Sequence, residues 1–242
     1  MYYLRKKAKN FPVDGLRITT TDCLFDDKIS ALWQQYVKKN HDVSCISLRN
    51  AGPDFICGKK ILCNTHWKDV DEVLIPMNLG THKHWILGRL VFKDRCIYLY
   101  NSLDSALARK NGLEAAEKYA VLLPLFFASL DLFALRSDID MTSPAYRDKN
   151  PTDAFRVKVV TGLPSQSEND CGAYVLAFAE YLIQKRPIPS DLNIVHHRDR
   201  ISFLLYEYGM KKMTENIDSG EEVEPKNMNR ELKRRGKKKI AE

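Results

Sequence analysis

Two apolar segments separated by a short polar turn constrain the fold of this chain more than any other feature. HWILGRLVF spans residues 84–92 and CIYLYNSL spans residues 96–103, with Lys93 and Asp94 between them. This pattern predicts an antiparallel β-hairpin. In a hairpin that turns there, His84 at the start of one strand and Asn101 at the end of the other fall close to opposite one another. The register therefore predicts that the two side chains can form a hydrogen bond, although a polar pair at strand ends also suits an exposed sheet edge.

A polar loop that runs directly into an apolar helix is the second strong feature, at residues 161–183. Apolar residues recur at steps of three and four after Gly172, which predicts a helix buried on at least one face. Asn169 and Asp170 are candidates for its N-cap. Cys171 falls in the first turn, where the partial positive charge of unpaired N–H groups favours the nucleophilic thiolate. The alternative is that Cys171 is one more small apolar residue at a helix start.

Length and composition indicate a single soluble globular domain. The chain has 242 residues, of which 44% are hydrophobic and 10% aromatic. No apolar run reaches the length of a membrane span, and the opening MYYLRKKAKN lacks the apolar core of a secretory signal. The six cysteines show no paired framework, so we expect reduced thiols and a location in the nucleus or cytoplasm.

The charged residues are not evenly spread along the chain, whose net charge is +7. ELKRRGKKK at 231–239 is a dense basic cluster that follows the acidic run EEVE at 221–224. The tail from 214 to 242 is predicted to be disordered, with nuclear import or weak nucleic-acid contact as the alternatives. Nothing else resembles a nucleic-acid motif, and we expect neither a membrane partner nor an oligomer. Zinc binding by Cys57, Cys63 and His66 is disfavoured because there is no C-x-x-C pair and no defined fourth ligand.

The remaining segments alternate between predicted helices and strands. Residues 1–9 are helix-like, and a second amphipathic helix is expected after Asp26 and Asp27, which would cap it. Segment 105–133 is helical by composition, with Pro124 expected to kink or divide it. The other expected elements are short pieces of structure within 41–68, strands at 71–79 and 155–160, a loop at 137–153 and a last amphipathic helix at 198–213.

The cysteine, the histidine and the asparagine together fit nucleophilic catalysis. A cysteine needs a base to accept its proton, and the base needs a third group that fixes its tautomer, so Cys171, His84 and Asn101 can fill these roles. Gln166 precedes the cysteine in the loop and could donate its amide, together with the Cys171 N–H, to the oxyanion of a tetrahedral intermediate. Asp104 is an alternative third member, although the register favours Asn101.

These residues resemble the motifs of the ubiquitin-like-protein-specific (SUMO- or sentrin-specific) cysteine proteases, distant relatives of adenain. The resemblance rests on H-W at His84 and Trp85, on Y-x-Y-N-S-L at 98–103, and on the segment from Gln166 to D-C-G at 170–172, in that order. It covers about residues 1–210, and the segments around Cys171 and at 122–140 look most like divergent plant members.

The resemblance implies an α+β, papain-like or adenain-like fold with a mixed central sheet flanked by helices. It implies hydrolysis after the Gly-Gly end of SUMO or a related modifier, with no cofactor. His84 would be the general base and acid, Cys171 the nucleophile, Gln166 the oxyanion donor and Trp85 a wall of the channel for the Gly-Gly tail. The catalytic domain would span residues 1–213.

The chain departs from the family pattern in three places. Asn101 stands where most members have Asp, and the loop from Gln166 to Cys171 is one residue shorter than in well-studied members. The usual W-L-x-[DN] element at the start of the domain has no counterpart before MYYLRKKAK. A non-catalytic member that only binds a modifier or partner is therefore the alternative function, and acyl transfer by the same Cys and His is a third.

Overall fold

The structure, a computed structural model, describes residues 1–47, 49–80, 83–167 and 169–216. These ranges contain helices, strands and three short 3₁₀ turns at Val43–Cys45, Trp67–Asp69 and Leu132–Leu135. The helices and strands are α1 (Tyr2–Asn10), β1 (Ile18–Thr20), α2 (Cys23–Lys38), α3 (Ala51–Ile56), β2 (Glu72–Asn78), β3 (Trp85–Val91), β4 (Cys96–Tyr100), α4 (Ala106–Ser129), β5 (Arg156–Val159), α5 (Cys171–Ile183) and α6 (Ile194–Thr214).

In the described part of the chain, one mixed sheet of five strands has the order β1-β2-β3-β4-β5. The outer pairs β1–β2 and β4–β5 are parallel, whereas the inner pairs β2–β3 and β3–β4 are antiparallel. The predicted hairpin is β3–β4, in which Leu87 faces Tyr100. Its turn is closed by the Arg95 N–H, which donates to Phe92 O at 3.0 Å, so Lys93 and Asp94 are its central residues as predicted.

Helices cover both faces of this sheet and form two apolar layers. On one face α2 and α4 pack on the sheet around a core that includes Phe25, Trp67 and Phe126. On the other face α1 and α5 enclose a second cluster that includes Leu87 and Phe178. This three-layer arrangement confirms the predicted α+β architecture, a mixed sheet flanked by helices. None of the helices in the described ranges is long and apolar enough to cross a membrane.

Helix α2 begins one turn earlier than the sequence predicted. Asp22 is its N-cap, and the Asp22 carboxylate accepts the Phe25 N–H at 3.0 Å. The prediction that Asp26 and Asp27 cap this helix is therefore wrong. Asp26 lies inside the helix and is almost completely buried, where it binds other elements instead of its own helix end.

The expected break at Pro124 does not divide α4, which runs without interruption from Ala106 to Ser129. A proline inside a helix has no N–H to offer the carbonyl four residues before it. Here the freed Ala120 carbonyl accepts the Phe155 N–H at 2.9 Å, immediately before β5. The helix stays continuous because a neighbouring strand supplies the missing donor.

Helix α6 is longer than the predicted segment 198–213. It starts at Ile194 because the Asn193 side chain caps it by accepting the His196 N–H at 2.9 Å. Most of the predicted tail, residues 217–242, lies outside the described residues.

Candidate active site

His84 and Asn101 lie at the ends of two neighbouring strands, as the hairpin register predicted. His84 immediately precedes β3, and Asn101 immediately follows β4. His84 Nε2 lies 2.8 Å from Asn101 Oδ1, and both residues are buried. The His84 carbonyl accepts the Leu79 N–H at 2.9 Å, which closes the connection from β2. Both the ring and its backbone are thus held in place.

The contacts of Asn101 determine which nitrogen of His84 carries the proton. Asn101 Oδ1 also accepts the Leu103 N–H at 2.9 Å, and Asn101 Nδ2 donates to the Ala108 carbonyl at 3.3 Å. These two backbone partners fix the amide orientation, so the atom facing His84 is an acceptor. His84 Nε2 must therefore donate its proton. In the neutral ring Nδ1 is left with a lone pair, which is the state a general base needs.

Cys171 is the first residue of α5 and is half-buried. The helix packs on β3, the strand that His84 precedes, so the nucleophile candidate and the base candidate belong to adjoining elements. Within the described residues no hydrogen bond joins the Cys171 thiol to the His84 ring. Such bonds are often long before substrate binds and tighten in the reacting complex.

Gln166 lies in the loop before α5 and is held by Ser102 at two points. The Gln166 N–H donates to the Ser102 carbonyl at 2.8 Å, and the Ser102 hydroxyl donates to Gln166 Oε1 at 2.7 Å. Because Oε1 is occupied in this way, Nε2 is the end of the amide that remains to donate. Gln166 lines the same open cleft of about 840 Å³ as Asp170 and Gly172. Sequence reasoning assigned no role to Ser102, although it lies within the Y-x-Y-N-S-L motif.

Trp85 and Asp104 occupy different environments. Trp85 is the first residue of β3, is half-exposed, and packs against the edge of the cluster beneath α5. Asp104 is exposed and pairs with Arg109 at 3.1 Å. The His84 ring bonds Asn101, so the geometry favours Asn101 over Asp104 as the candidate orienting group. Asn169, the other cap candidate, is exposed, and Asp170 takes the N-cap position without capping through its side chain.

A buried polar network around Asp26 anchors the end of β2, just before the segment that leads to His84, and sequence reasoning did not identify it. Asp26 Oδ2 accepts the Asn78 N–H at 3.2 Å, at the end of β2 just before the segment that leads to His84. Asp26 Oδ1 accepts from Lys118 Nζ at 2.6 Å and from the Tyr119 hydroxyl at 2.5 Å. Burial, and then the Asp26 carboxylate, raise the pKa of Tyr119 well above its ordinary value, so the phenol remains a donor.

These features together define the class: a cysteine protease domain of papain-like fold, in which the helix that begins with a cysteine packs on the strand that a histidine precedes. The family model described as "Ulp1 protease family, C-terminal catalytic domain" matches residues 26–213. The chain therefore belongs to the Ulp1 protease family. A search of curated proteins gave no match.

Several solved structures are similar in fold. The SUMO protease Ulp1 with its catalytic cysteine oxidised to a sulfinic acid is 17% identical, with a TM-score of 0.46 over 82% of this chain and 71% of that one. The C-terminal Ulp1 protease domain in complex with Smt3, the yeast ortholog of SUMO, is 18% identical, with a TM-score of 0.42 over 79% of this chain and 66% of that one. The Ulp1-like SUMO protease catalytic domain of Chaetomium thermophilum is 15% identical, with a TM-score of 0.39 over 81% and 65%.

Proposed function

We propose that this chain cleaves after the carboxy-terminal Gly-Gly of SUMO or a related ubiquitin-like modifier, through a Cys171, His84 and Asn101 triad. One observation carries the proposal: Asn101 Oδ1 fixes the His84 ring at 2.8 Å in the tautomer that leaves Nδ1 free to accept a proton. Family membership supports the reaction class, and the Smt3 complex of a similar protease supports the substrate class.

The reaction follows from these positions. His84 Nδ1 takes the thiol proton, and the Cys171 sulfur attacks the carbonyl carbon of the terminal glycine. The oxyanion accepts hydrogen bonds from Gln166 Nε2 and from the Cys171 N–H, which has no intrahelical partner at the first helical position. The tetrahedral intermediate collapses as His84 returns its proton to the departing amine, which leaves a thioester. Water, deprotonated by His84, then hydrolyses the thioester.

Substrate selection is assigned to Trp85. Its ring is half-exposed at the start of β3, directly after the base. A flat aromatic wall beside the reacting carbonyl leaves room for glycine, which has no side chain, and excludes larger residues at the last two positions. No metal or cofactor takes part in these steps.

The test is incubation with SUMO or another ubiquitin-like protein that carries a carboxy-terminal vinyl sulfone or fluorogenic amide. A covalent adduct that disappears in Cys171→Ala supports the proposal. Cys23→Ala is the matched control, because Cys23 is also a free thiol at the first position of a helix after an aspartate. We expect the control to form the adduct at the wild-type rate. The absence of an adduct with any modifier at high enzyme concentration would overturn the proposal.

Non-catalytic binding of a modifier is the second candidate, and one observation favours it. In the described part of the chain the Cys171 thiol makes no hydrogen bond to His84, so the pair is not pre-assembled. Retention of SUMO by the protein without adduct formation, measured by calorimetry with unmodified SUMO, would select this function over catalysis.

A further inference from the structure

Two helices of this protein begin with the same dipeptide, Asp-Cys, but their aspartates behave differently. At α2, Asp22 is extended (φ −140°, ψ −177°) and its carboxylate accepts the Phe25 N–H at 3.0 Å. This is the usual N-cap, in which an anion satisfies one of the unpaired donors of the first turn. The negative charge also offsets the positive end of the helix dipole next to Cys23.

At α5 the Asp170 carboxylate does not cap the helix. Asp170 has φ −97° and ψ 13°, a conformation outside the extended region that capping uses, and its side chain makes no cap hydrogen bond. Asp170 Oδ1 instead accepts from Arg198 Nη1 at 2.7 Å. Arg198 lies on α6, so this ion pair ties α6 to the residue immediately before Cys171.

We propose that Arg198 is a positioning residue for the reaction, which neutralises the Asp170 carboxylate and keeps it away from the amino end of α5. The inference deepens the proposed function, since it concerns the same nucleophile. With the carboxylate held by Arg198, no carboxylate among the described residues accepts from the N–H groups of the first turn of α5. They can therefore stabilise negative charge on the Cys171 sulfur and on the oxyanion.

The charge of Asp170 is close enough to affect neighbouring groups. Burial, and then the Asp170 carboxylate, raise the pKa of Tyr174, one turn into the same helix. The Tyr174 hydroxyl donates to the Ser165 carbonyl at 3.0 Å, so this tyrosine also anchors the loop that carries Gln166. An uncompensated carboxylate at this place would disfavour the thiolate of the adjacent cysteine, because like charges repel.

Arg198 reaches the Asp170 carboxylate from the solvent side, because its side chain is the more exposed of the two. The Asp170 side chain is 17% exposed, whereas that of Arg198 is 55% exposed. The pair is therefore accessible on the side of the cleft, where Arg198 also lies among the lining residues. Because Arg198 is exposed, solvent screens this pair, and its effect on Cys171 weakens as the salt concentration is raised.

The experiment measures alkylation of Cys171 by iodoacetamide as a function of pH, by mass spectrometry of the peptide that contains it. Cys23 in the same molecule is the internal reference. In Arg198→Ala we expect the rate at pH 7 to fall about three- to tenfold and the midpoint of the pH profile to rise by about 0.5 to 1 unit, as expected for one uncompensated neighbouring charge. The rate at a pH high enough to ionise the thiol fully stays unchanged.

Three further variants separate an electrostatic role from a merely structural one. Arg198→Lys keeps the charge and restores most of the rate. Asp170→Asn removes the carboxylate and alkylates at least as fast as wild type, and the double variant Asp170→Asn with Arg198→Ala returns to within about twofold of wild type. Lys211→Ala, which removes a positive charge near the far end of α6, has no effect.

The inference is overturned if Arg198→Ala leaves the Cys171 profile unchanged relative to Cys23, or if the loss persists in the Asp170→Asn background. If Arg198→Ala fails to fold, Asp170→Asn alone decides, because slower alkylation in that variant contradicts the inference. Alkylation by iodoacetamide does not require SUMO or another ubiquitin-like protein. Failure of the vinyl sulfone test with a normal Arg198 effect therefore refutes the proposed function and leaves this inference standing.

Discussion

Replacement of Asn101 by Asp tests the orienting role of this residue, because it changes only the side-chain nitrogen, and the hydrogen-bond partners of the Asn101 amide are known. Asn101 Oδ1 accepts from His84 and from the Leu103 N–H, and both bonds survive in Asn101→Asp. Nδ2 becomes an oxygen that faces the Ala108 carbonyl at 3.3 Å. The variant therefore loses one hydrogen bond and gains an oxygen–oxygen contact at a buried position.

The magnitudes point in opposite directions for activity and stability. The lost bond and the unsatisfied buried oxygen lower the free energy of unfolding by about 1 to 3 kcal/mol. In the reacting complex His84 becomes an imidazolium, and a charge-assisted bond to a carboxylate is about 1 kcal/mol stronger than one to an amide. That gain corresponds to a kcat/KM that is equal or higher by about fivefold.

The assay is hydrolysis of a SUMO fluorogenic amide across pH, with urea unfolding of the same preparations. Asp104→Asn is the control, since Asp104 is exposed and pairs with Arg109; its rate stays within about twofold of wild type. If Asn101→Asp is folded yet loses more than tenfold in kcat/KM, Asn101 is not standing in for an aspartate and the triad must be reassigned.

Other predictions follow from contacts described above. Gln166→Ala lowers kcat by about 10²- to 10³-fold through the loss of one oxyanion donor, and Ser102→Ala lowers kcat less because it only frees the orientation of the Gln166 amide. A raised KM with unchanged kcat would contradict both predictions. Asp26→Asn lowers the free energy of unfolding in urea by about 3 kcal/mol because Lys118 is left buried without its carboxylate, and adding Lys118→Met recovers part of the loss; an unchanged midpoint would refute this. Burial lowers the pKa of His197, so on acidification a proton binds this histidine in the unfolded chain before it does so in the folded protein. The free energy of unfolding therefore falls as the pH drops below about 6.5. His197→Leu flattens that part of the stability–pH curve, whereas His196→Leu, at the exposed neighbouring residue, does not.

The parts of the fold that the sequence predicted are those governed by local pattern. The β3–β4 register followed from strand periodicity and a two-residue turn centre, and it placed His84 beside Asn101 without further information. Helix α5 likewise followed from the spacing of its apolar residues. In each case the interacting residues lie within one hairpin or one helix, so chain connectivity limits the possible arrangements.

The residues that sequence reasoning missed act across long separations. Ser102 meets Gln166, Arg198 meets Asp170, and Asp26 meets Lys118, in each case from a different element. An acidic residue just before an apolar run predicts a cap whether or not its carboxylate has a better partner elsewhere. For Asp26 the partner is a buried lysine on α4, a contact that only tertiary packing reveals.

The bond from the Phe155 N–H to the Ala120 carbonyl also makes one amide a reporter of contact between two elements. Pro124 leaves the Ala120 carbonyl without a helical donor, so the start of β5 docks on this turn of α4 without displacing a helical hydrogen bond. Residues 137–153 connect the two elements as a long loop, whose closure costs conformational entropy. The hydrogen-exchange rate of the Phe155 amide therefore measures how often β5 detaches from α4.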